Sequence, residues 1–155
     1  MSVHVRRAEP RDAHTLARLR YAFRSDYGTA IEAEKDFVER CERWMKQHLD
    51  NASWHCWVAE IHDSLFGMIW LHFIEKIPNP VQESERHAYI SSLYVRPDHR
   101  GAGAGSSLLE AALDECAEHG VDAVILWPTP RSRNLYERFG FSIRNDVMER
   151  CLSNG

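Results

Sequence analysis

Between Leu93 and Leu109 the chain reads LYVRPDHRGAGAGSSLL: an aromatic and β-branched run, a proline, a basic turn, three glycines at alternate positions and the start of an apolar helical pattern. No other stretch narrows the possible folds as much, because it requires a strand that passes through a glycine arch directly into a helix. The first turn of a helix leaves about four backbone N–H groups without intrahelical acceptors, at the positive end of the helix dipole. Glycines permit positive φ and let an anion approach where a Cβ would stand, while Arg96 and Arg100 add positive charge beside the turn. A phosphate group fits such a place. Two phosphate-binding folds fail on residue identity. The dinucleotide fingerprint GxGxxG needs glycine where Ser106 stands, and a nucleoside-triphosphate loop needs Gly-Lys-Ser/Thr where this stretch has no lysine. Taken alone, the three glycines also suit an ordinary flexible turn before a helix.

The remainder of the chain alternates strand and helix patterns. Val3 to Ala8 predicts a strand; Leu16, Leu19 and Phe23 then repeat at i, i+3 and i+7, and Phe37, Cys41, Trp44, Met45 and Leu49 fall on one face of a second helix starting near Glu32. Trp54 to Ile61 and Leu65 to Ile74 are strand runs joined by His62-Asp63-Ser64, a loop short enough for an antiparallel hairpin. An irregular loop around Pro78 leads to a strand over Ala88 to Val95, then the glycine turn and a helix ended by Gly120. Val121 to Trp127 predicts a fifth strand, Ser132 to Phe139 a short helix stopped by Gly140, and Phe141 to Glu149 a last strand. The expected order is β-α-α-β-β-β-α-β-α-β, an α/β (α+β) fold with a mixed sheet flanked by helices.

With 155 residues and no repeat or linker, residues 1–155 are expected to form one domain. The chain is 44% hydrophobic and 27% charged, its apolar runs are too short to span a bilayer, and its N-terminus has no secretory pattern, so a cytoplasmic location with no membrane partner is expected. A net charge of -4, with no basic stripe interleaved with aromatics, points away from nucleic acid. Four cysteines without CxxC spacing and nine histidines without HxH or HExxH point to no metal site and no disulfide framework.

Arg100-Gly101-Ala102-Gly103-Ala104-Gly105, preceded by Leu93-Tyr94-Val95, resembles the R/Q-x-x-G-x-G/A signature of the GNAT acetyltransferases. Leu135-Tyr136-Glu137-Arg138-Phe139-Gly140-Phe141 is similar to the LYExxGF that follows the family's fifth strand. The resemblance implies a GNAT-like, mostly antiparallel mixed sheet and an acetyl-CoA-dependent N-acetyltransferase, with acetyl-CoA as co-substrate and no metal. It implies that main-chain groups from Arg100, Gly101, Ala102, Gly103, Ala104, Gly105 and Ser106 hold the CoA pyrophosphate, and that Leu93, Tyr94 and Val95 face the pantetheine arm between splayed fourth and fifth strands. Tyr136 matches the tyrosine that protonates the departing thiolate, with a core aromatic as the other reading. Arg133, in the basic pair with Arg131, faces the CoA phosphates or solvent. Many family members carry Asn and Ala where this chain has Thr129 and Ser132.

An alkylammonium with pKa near 10.4 is only about one part in a thousand free base at pH 7, so a base or proton relay is expected. The family often places a carboxylate on the fourth strand, where Ser91 stands here. Glu75 and His87, at the ends of the third and fourth strands, are the catalytic candidates for this step, with plain surface charge as the alternative. The acceptor pocket implied by the resemblance draws on Tyr21, Asp26, Tyr27, Glu32, Glu34 and the 77–85 loop, whose acidic residues suit a cationic small-molecule or peptide amine. The competing readings are a CoA-binding sensor without turnover, and an acyltransferase with another donor or acceptor. A homodimer is compatible with the family but has no sequence signal.

Overall fold

The computed structural model describes residues 2–83 and 85–153. Five strands run β1 (His4–Arg7), β2 (Trp54–Ile61), β3 (Ser64–Glu75), β4 (Arg86–Val95) and β5 (Ala123–Ile125), and they lie in the sheet in that order. The first four are antiparallel neighbours, whereas β4 and β5 are parallel. Helices α1 (Ala13–Ser25) and α2 (Glu34–Leu49) cover one face; α3 (Ala104–Glu118) and α4 (Arg133–Arg138) cover the other. The expected mixed, mostly antiparallel sheet flanked by helices is therefore present.

The alternation of side chains along each strand divides the core in two. Cys56, Val58, Met68 and Trp70 face α1 and α2, while Ala59, Ile69, Leu71, Ala88 and Ile90 face α3. Helix α3 comes close to β3 at Gly67, where a Cβ would stand 3.2 Å from Leu108 Cδ1 and 3.3 Å from the Tyr94 carbonyl oxygen. The β2–β3 hairpin is tighter than expected. Ser64 already pairs with Ile61, and His62 and Asp63 both take positive φ, the geometry of a two-residue turn that follows the strand twist.

The strand expected over Phe141 to Glu149 does not form, and residues 142–150 are all exposed. The apolar residues Ile143 and Val147 are split by Asn145-Asp146, turn formers that Arg144 ties into a local ion pair, so the run supplies no continuous pairing edge. β5 is also shorter than its apolar pattern. The Asp122 carboxylate takes the N–H groups of Glu85 and Arg86 at 2.9 and 3.2 Å, and after Ile125 the chain leaves β4 toward Pro128.

Charged residues lock the outer sheet. Arg6 reaches Asp12 through Nη1 and Nη2 at 2.8 and 3.0 Å, and Glu60 through Nε and Nη2 at 3.0 and 3.2 Å. Burial pushes the Asp12 carboxyl up, but the Arg6 hydrogen bonds, the Glu9 N–H and the Arg6 charge outweigh it and hold it below the usual range. Glu60 is held down chiefly by its hydrogen bond from Arg6. A folded-state carboxyl pKa that is depressed stabilises the protein above the unfolded value and loses that contribution as pH falls. Thermal melts are therefore expected to be flat down to about pH 5 and to drop below about pH 4. An unchanged melting temperature at pH 3 would contradict this. On the α3 face, the buried Glu115 accepts from Arg7 Nη1 at 2.7 Å and Trp57 Nε1 at 2.6 Å, and His55 Nδ1 lies against the same carboxylate.

Candidate active site

The third strand loses step with the fourth at one point. Met68 opposes Tyr94 and Trp70 opposes Ser91, so Ser92 and Leu93 together oppose the single residue Ile69. This is a β-bulge, and Ser92 sits in it with φ +61°, a conformation uncommon for any residue but glycine. Its consequence is a change of phase. Before the bulge Ala88 and Ile90 face α3; after it Tyr94 faces α1, and Leu93 and Val95 pack on the α3 side. β5 pairs with β4 only as far as Tyr89, so residues 90–95 have no β5 partner among the described residues. The two strands diverge just where the bulge bends β4.

A cleft of about 340 Å³ opens at this divergence. Leu93, Tyr94 and Val95 form its floor, the glycine arch and the first turn of α3 one end, and Thr129, Arg131, Ser132, Leu135 and Arg138 the opposite wall. Gly101 and Gly103 take φ of +85° and +87°, and Gly103 caps α3 in the left-handed region without any side-chain cap. The first backbone bond back to the arch runs from Ser107 N–H to the Gly103 carbonyl at 3.0 Å, which leaves the N–H groups of Ala104, Gly105 and Ser106 outside the helical ladder. No acidic side chain lies in this first turn. The end of the cleft therefore presents free N–H groups at the positive end of a helix dipole, with guanidinium groups near it, a set of features that suits an anion.

Arg100 has a positioning role as well as a charge. Its Nε donates to the Val95 carbonyl at 2.8 Å, and its guanidinium lies 5.5 Å from the Tyr94 ring centre, which ties the arch to the strand end. Gly105 differs from its neighbours. It has no positive φ, and a Cβ there would meet Leu135 Cδ2 at 3.5 Å, an ordinary contact. Positive φ thus occurs at Gly101 and Gly103 and not at Gly105.

The structure separates the other expected site residues. Arg100, Gly101, Gly103, Ala104, Gly105 and Ser106 line the cleft, and Ala102 does not. Arg133 turns away, its Nε on Glu137 at 2.8 Å one helical turn along, while Arg131 and Arg138 take the place at the wall expected for it. Tyr136 stands behind that wall, buried in the α3-side core with its ring 5.5 Å from Phe141, and burial pushes its phenol up to about 12. Glu75 and His87 lie at the other end of β4. Glu75 is exposed and opposite Arg86, and at about 3.3 Å per residue His87 is roughly 13 Å from Ser91, so neither reaches the bulge. Thr129 and Ser132 bond each other, Oγ1 to Oγ at 2.9 Å, and brace the start of α4.

A second and larger cavity, about 620 Å³, lies on the α1/α2 side of the same bulge. Ser91 and Ser92 line it, while the next three residues line the cleft, so the two spaces border consecutive residues of the bent strand. Its walls are aromatic and cationic: Trp44, Trp54, Trp70 and Tyr89, with Arg20, Arg40 and Arg43. Arg20 Nη1 donates to Ser92 Oγ at 2.6 Å. The acidic acceptor pocket expected from the sequence is not what forms here. Of its residues, Tyr21, Tyr27 and Glu32 border a separate hollow of about 230 Å³ at the α1–α2 loop, and Ser84 lies outside the described residues. Sequence reading missed Arg20 and Ser92 because nothing in a helical arginine or a strand serine signals a bulge.

Residues 16–141 match the Acetyltransferase (GNAT) family. The chain is 27% identical to an uncharacterized N-acetyltransferase, YhfO, of Bacillus subtilis, over 97% of each chain. It is 38% identical to the Escherichia coli L-amino acid N-acyltransferase MnaT over 61 residues, 37% of this chain and 36% of that one. Its fold is similar to that of a predicted acetyltransferase from Clostridium acetobutylicum solved with acetyl-CoA, at a TM-score of 0.83, 24% identity and 97% coverage of both chains. A glycine arch with free helix N-terminal N–H groups, a splayed parallel strand pair and a match across most of the sequence agree: the chain is an acyltransferase that belongs to the GNAT acetyltransferase family.

Proposed function

We propose that the protein is an N-acetyltransferase that moves the acetyl group of acetyl-CoA to a primary amine by direct attack. The observation that carries this reading is that the two cavities border consecutive residues of β4 at its bulge. A donor lying in the cleft, with its pyrophosphate on the α3 N-terminus and its pantetheine along Leu93 to Val95, would bring its thioester to the strand bend. An acceptor amine would arrive from the opposite side, past Ser91 and Ser92. The acetyl-CoA of the Clostridium acetobutylicum protein supports the choice of donor.

In this reaction the amine lone pair attacks the thioester carbonyl carbon, the C–S bond breaks, the nitrogen loses a proton and the thiolate gains one. A thiol of pKa near 8.5 departs readily, so its proton is needed only late. Tyr136 is the proposed donor. Its phenol is protonated at neutral pH with or without the upward push of burial, and it follows the lining residue Leu135 in α4 without itself lining the cleft, so its side chain must move for the proton to be delivered. Tyr136→Phe is expected to lower kcat about 100-fold with little change in CoA affinity, the range usual for a proton-transfer group. Wild-type turnover would leave Tyr136 as packing. Glu75 and His87 are not retained as the base, because their distance along β4 leaves no direct path to the bulge. The reading is tested by following CoA release from acetyl-CoA over a panel of amines that includes amino acids, polyamines, aminoglycosides, aryl amines and peptides.

A further inference from the structure

The larger cavity carries three arginines and, among its described lining residues, no carboxylate. Arg40 is already engaged, on Glu32 and over the Phe37 ring. Arg20 is not. It is half-buried, its one hydrogen bond goes to the neutral Ser92 hydroxyl, and it has no acidic partner among the described residues. Burial lowers its pKa from the ordinary arginine value, with the nearby Arg24 acting in the same direction. Buried charges are ordinarily paired, because removing a charge from water without a counter-ion is expensive. Trp70 borders the same cavity, but its Nε1 is enclosed, without a hydrogen-bond partner and without surface open to the cavity, so it is not a donor to a ligand there. Around Arg20 stand flat apolar surfaces. Trp54 packs edge-on to Trp44 and Trp70 at 5.3 and 6.3 Å between centroids, and Tyr89 completes the wall toward β4.

We infer that the acceptor is a free α-amino acid with an aromatic side chain, its carboxylate bound by Arg20 and its ring held against Trp54, Trp70 and Tyr89. The inference rests on the N-acetyltransferase reading above and narrows it. Geometry selects the α-amine. Arg20 touches the bulge itself through Ser92, so a carboxylate on its guanidinium places an amine two bonds away beside the bend, where the thioester is proposed to lie. The ε-amine of lysine, several bonds further out, would overshoot it. The volume, about 620 Å³, admits an indole or phenyl side chain together with water. The arginines also disfavour the ammonium form of a neighbouring amine, which eases loss of the proton that must leave before attack. Since no carboxylate lines either space among the described residues, this field replaces part of what a general base would do. The E. coli relative matches only a third of its own length, and its amino-acid acceptors neither specify an aromatic side chain nor assign Arg20.

The test compares L-tryptophan and L-phenylalanine with tryptamine and phenethylamine, which lack only the carboxylate, with L-alanine, which lacks the ring, and with a lysine blocked at its α-amine. Expected values of kcat/KM are highest for the aromatic amino acids and at least tenfold lower for each of the others, in line with loss of a hydrogen bond to a charged group for the amines without a carboxylate and with loss of apolar burial for alanine. Arg20→Met should remove the advantage of tryptophan over tryptamine at unchanged acetyl-CoA affinity, and Arg20→Lys should restore part of it. Equal turnover of tryptophan and tryptamine, or an Arg20→Met enzyme that keeps the wild-type preference, would overturn the inference. If no amine is acetylated, the transfer reading fails, and the inference is then decided by calorimetry of L-tryptophan on the CoA-bound protein. Binding lost in Arg20→Met supports the site; absence of binding to the wild type overturns it.

Discussion

Gly105→Asp is expected to abolish CoA binding while leaving the protein as stable as before or slightly more so. The two effects separate because of where residue 105 sits. Its backbone is ordinary helix, and a side chain there makes only a 3.5 Å contact with Leu135, so the fold accepts the new Cβ. A carboxylate in the first turn of α3 interacts well with the helix dipole, a gain of about 0.3–1 kcal/mol. The same carboxylate stands where the pyrophosphate is proposed to bind and takes up the free N–H groups, and its charge repels the ligand. A loss of at least 100-fold in CoA affinity corresponds to about 2.7 kcal/mol. Gly103→Asp would be less informative, because φ at 103 is +87° and any side chain there is strained. Calorimetry with CoA and a thermal melt on the same preparation check both halves. Undiminished affinity would remove the assignment of the arch.

Arg6→Ala is expected to destabilise the fold by about 3–5 kcal/mol, a large part of the 5–15 kcal/mol typical of a domain. The loss arises less from the missing ion pairs than from the two carboxylates left behind. Asp12 is 6% exposed and Glu60 7% exposed, and both face the space the guanidinium fills. Without it they repel each other, so their pKa values rise and the acid sensitivity described above moves toward neutral pH. Urea titration measures the loss. Replacing all three residues by apolar ones of similar volume should recover much of it, since a buried ion network is often no more stable than a packed apolar one. A destabilisation below about 1 kcal/mol for Arg6→Ala would show that the network is effectively solvated.

The glycine arch was readable because its chemistry is local: Arg96, Pro97, Arg100 and the alternate glycines act within one turn of chain. The helices and the β2–β3 hairpin were equally plain from period and turn chemistry. Residues 141–149 misled because alternation in Phe141, Ile143 and Val147 says nothing about whether a strand is available to pair with, and the short β5 supplies none. The bulge was invisible for a related reason. Ser91 and Ser92 carry no strong strand or turn signal, and the extra residue is defined only by Ile69 across the ladder. Glu75 and His87 stand at the strand ends, whereas the bulge falls in the C-terminal half of β4. The acceptor side shows the same limit. Acidic residues of the α1–α2 loop suit a cationic acceptor, whereas Arg20, Arg40 and Arg43 line the larger cavity through helix packing that no local sequence signal announces.

The most direct test of the central claim is a coupled assay in which thiol release from acetyl-CoA and the mass of the acceptor are followed together over the amine panel, for wild type and Gly105→Asp. The account predicts CoA released in step with an N-acetylated product in the wild type, and neither in the variant. Thioester left intact with every class of amine, or equal turnover by Gly105→Asp, would contradict it.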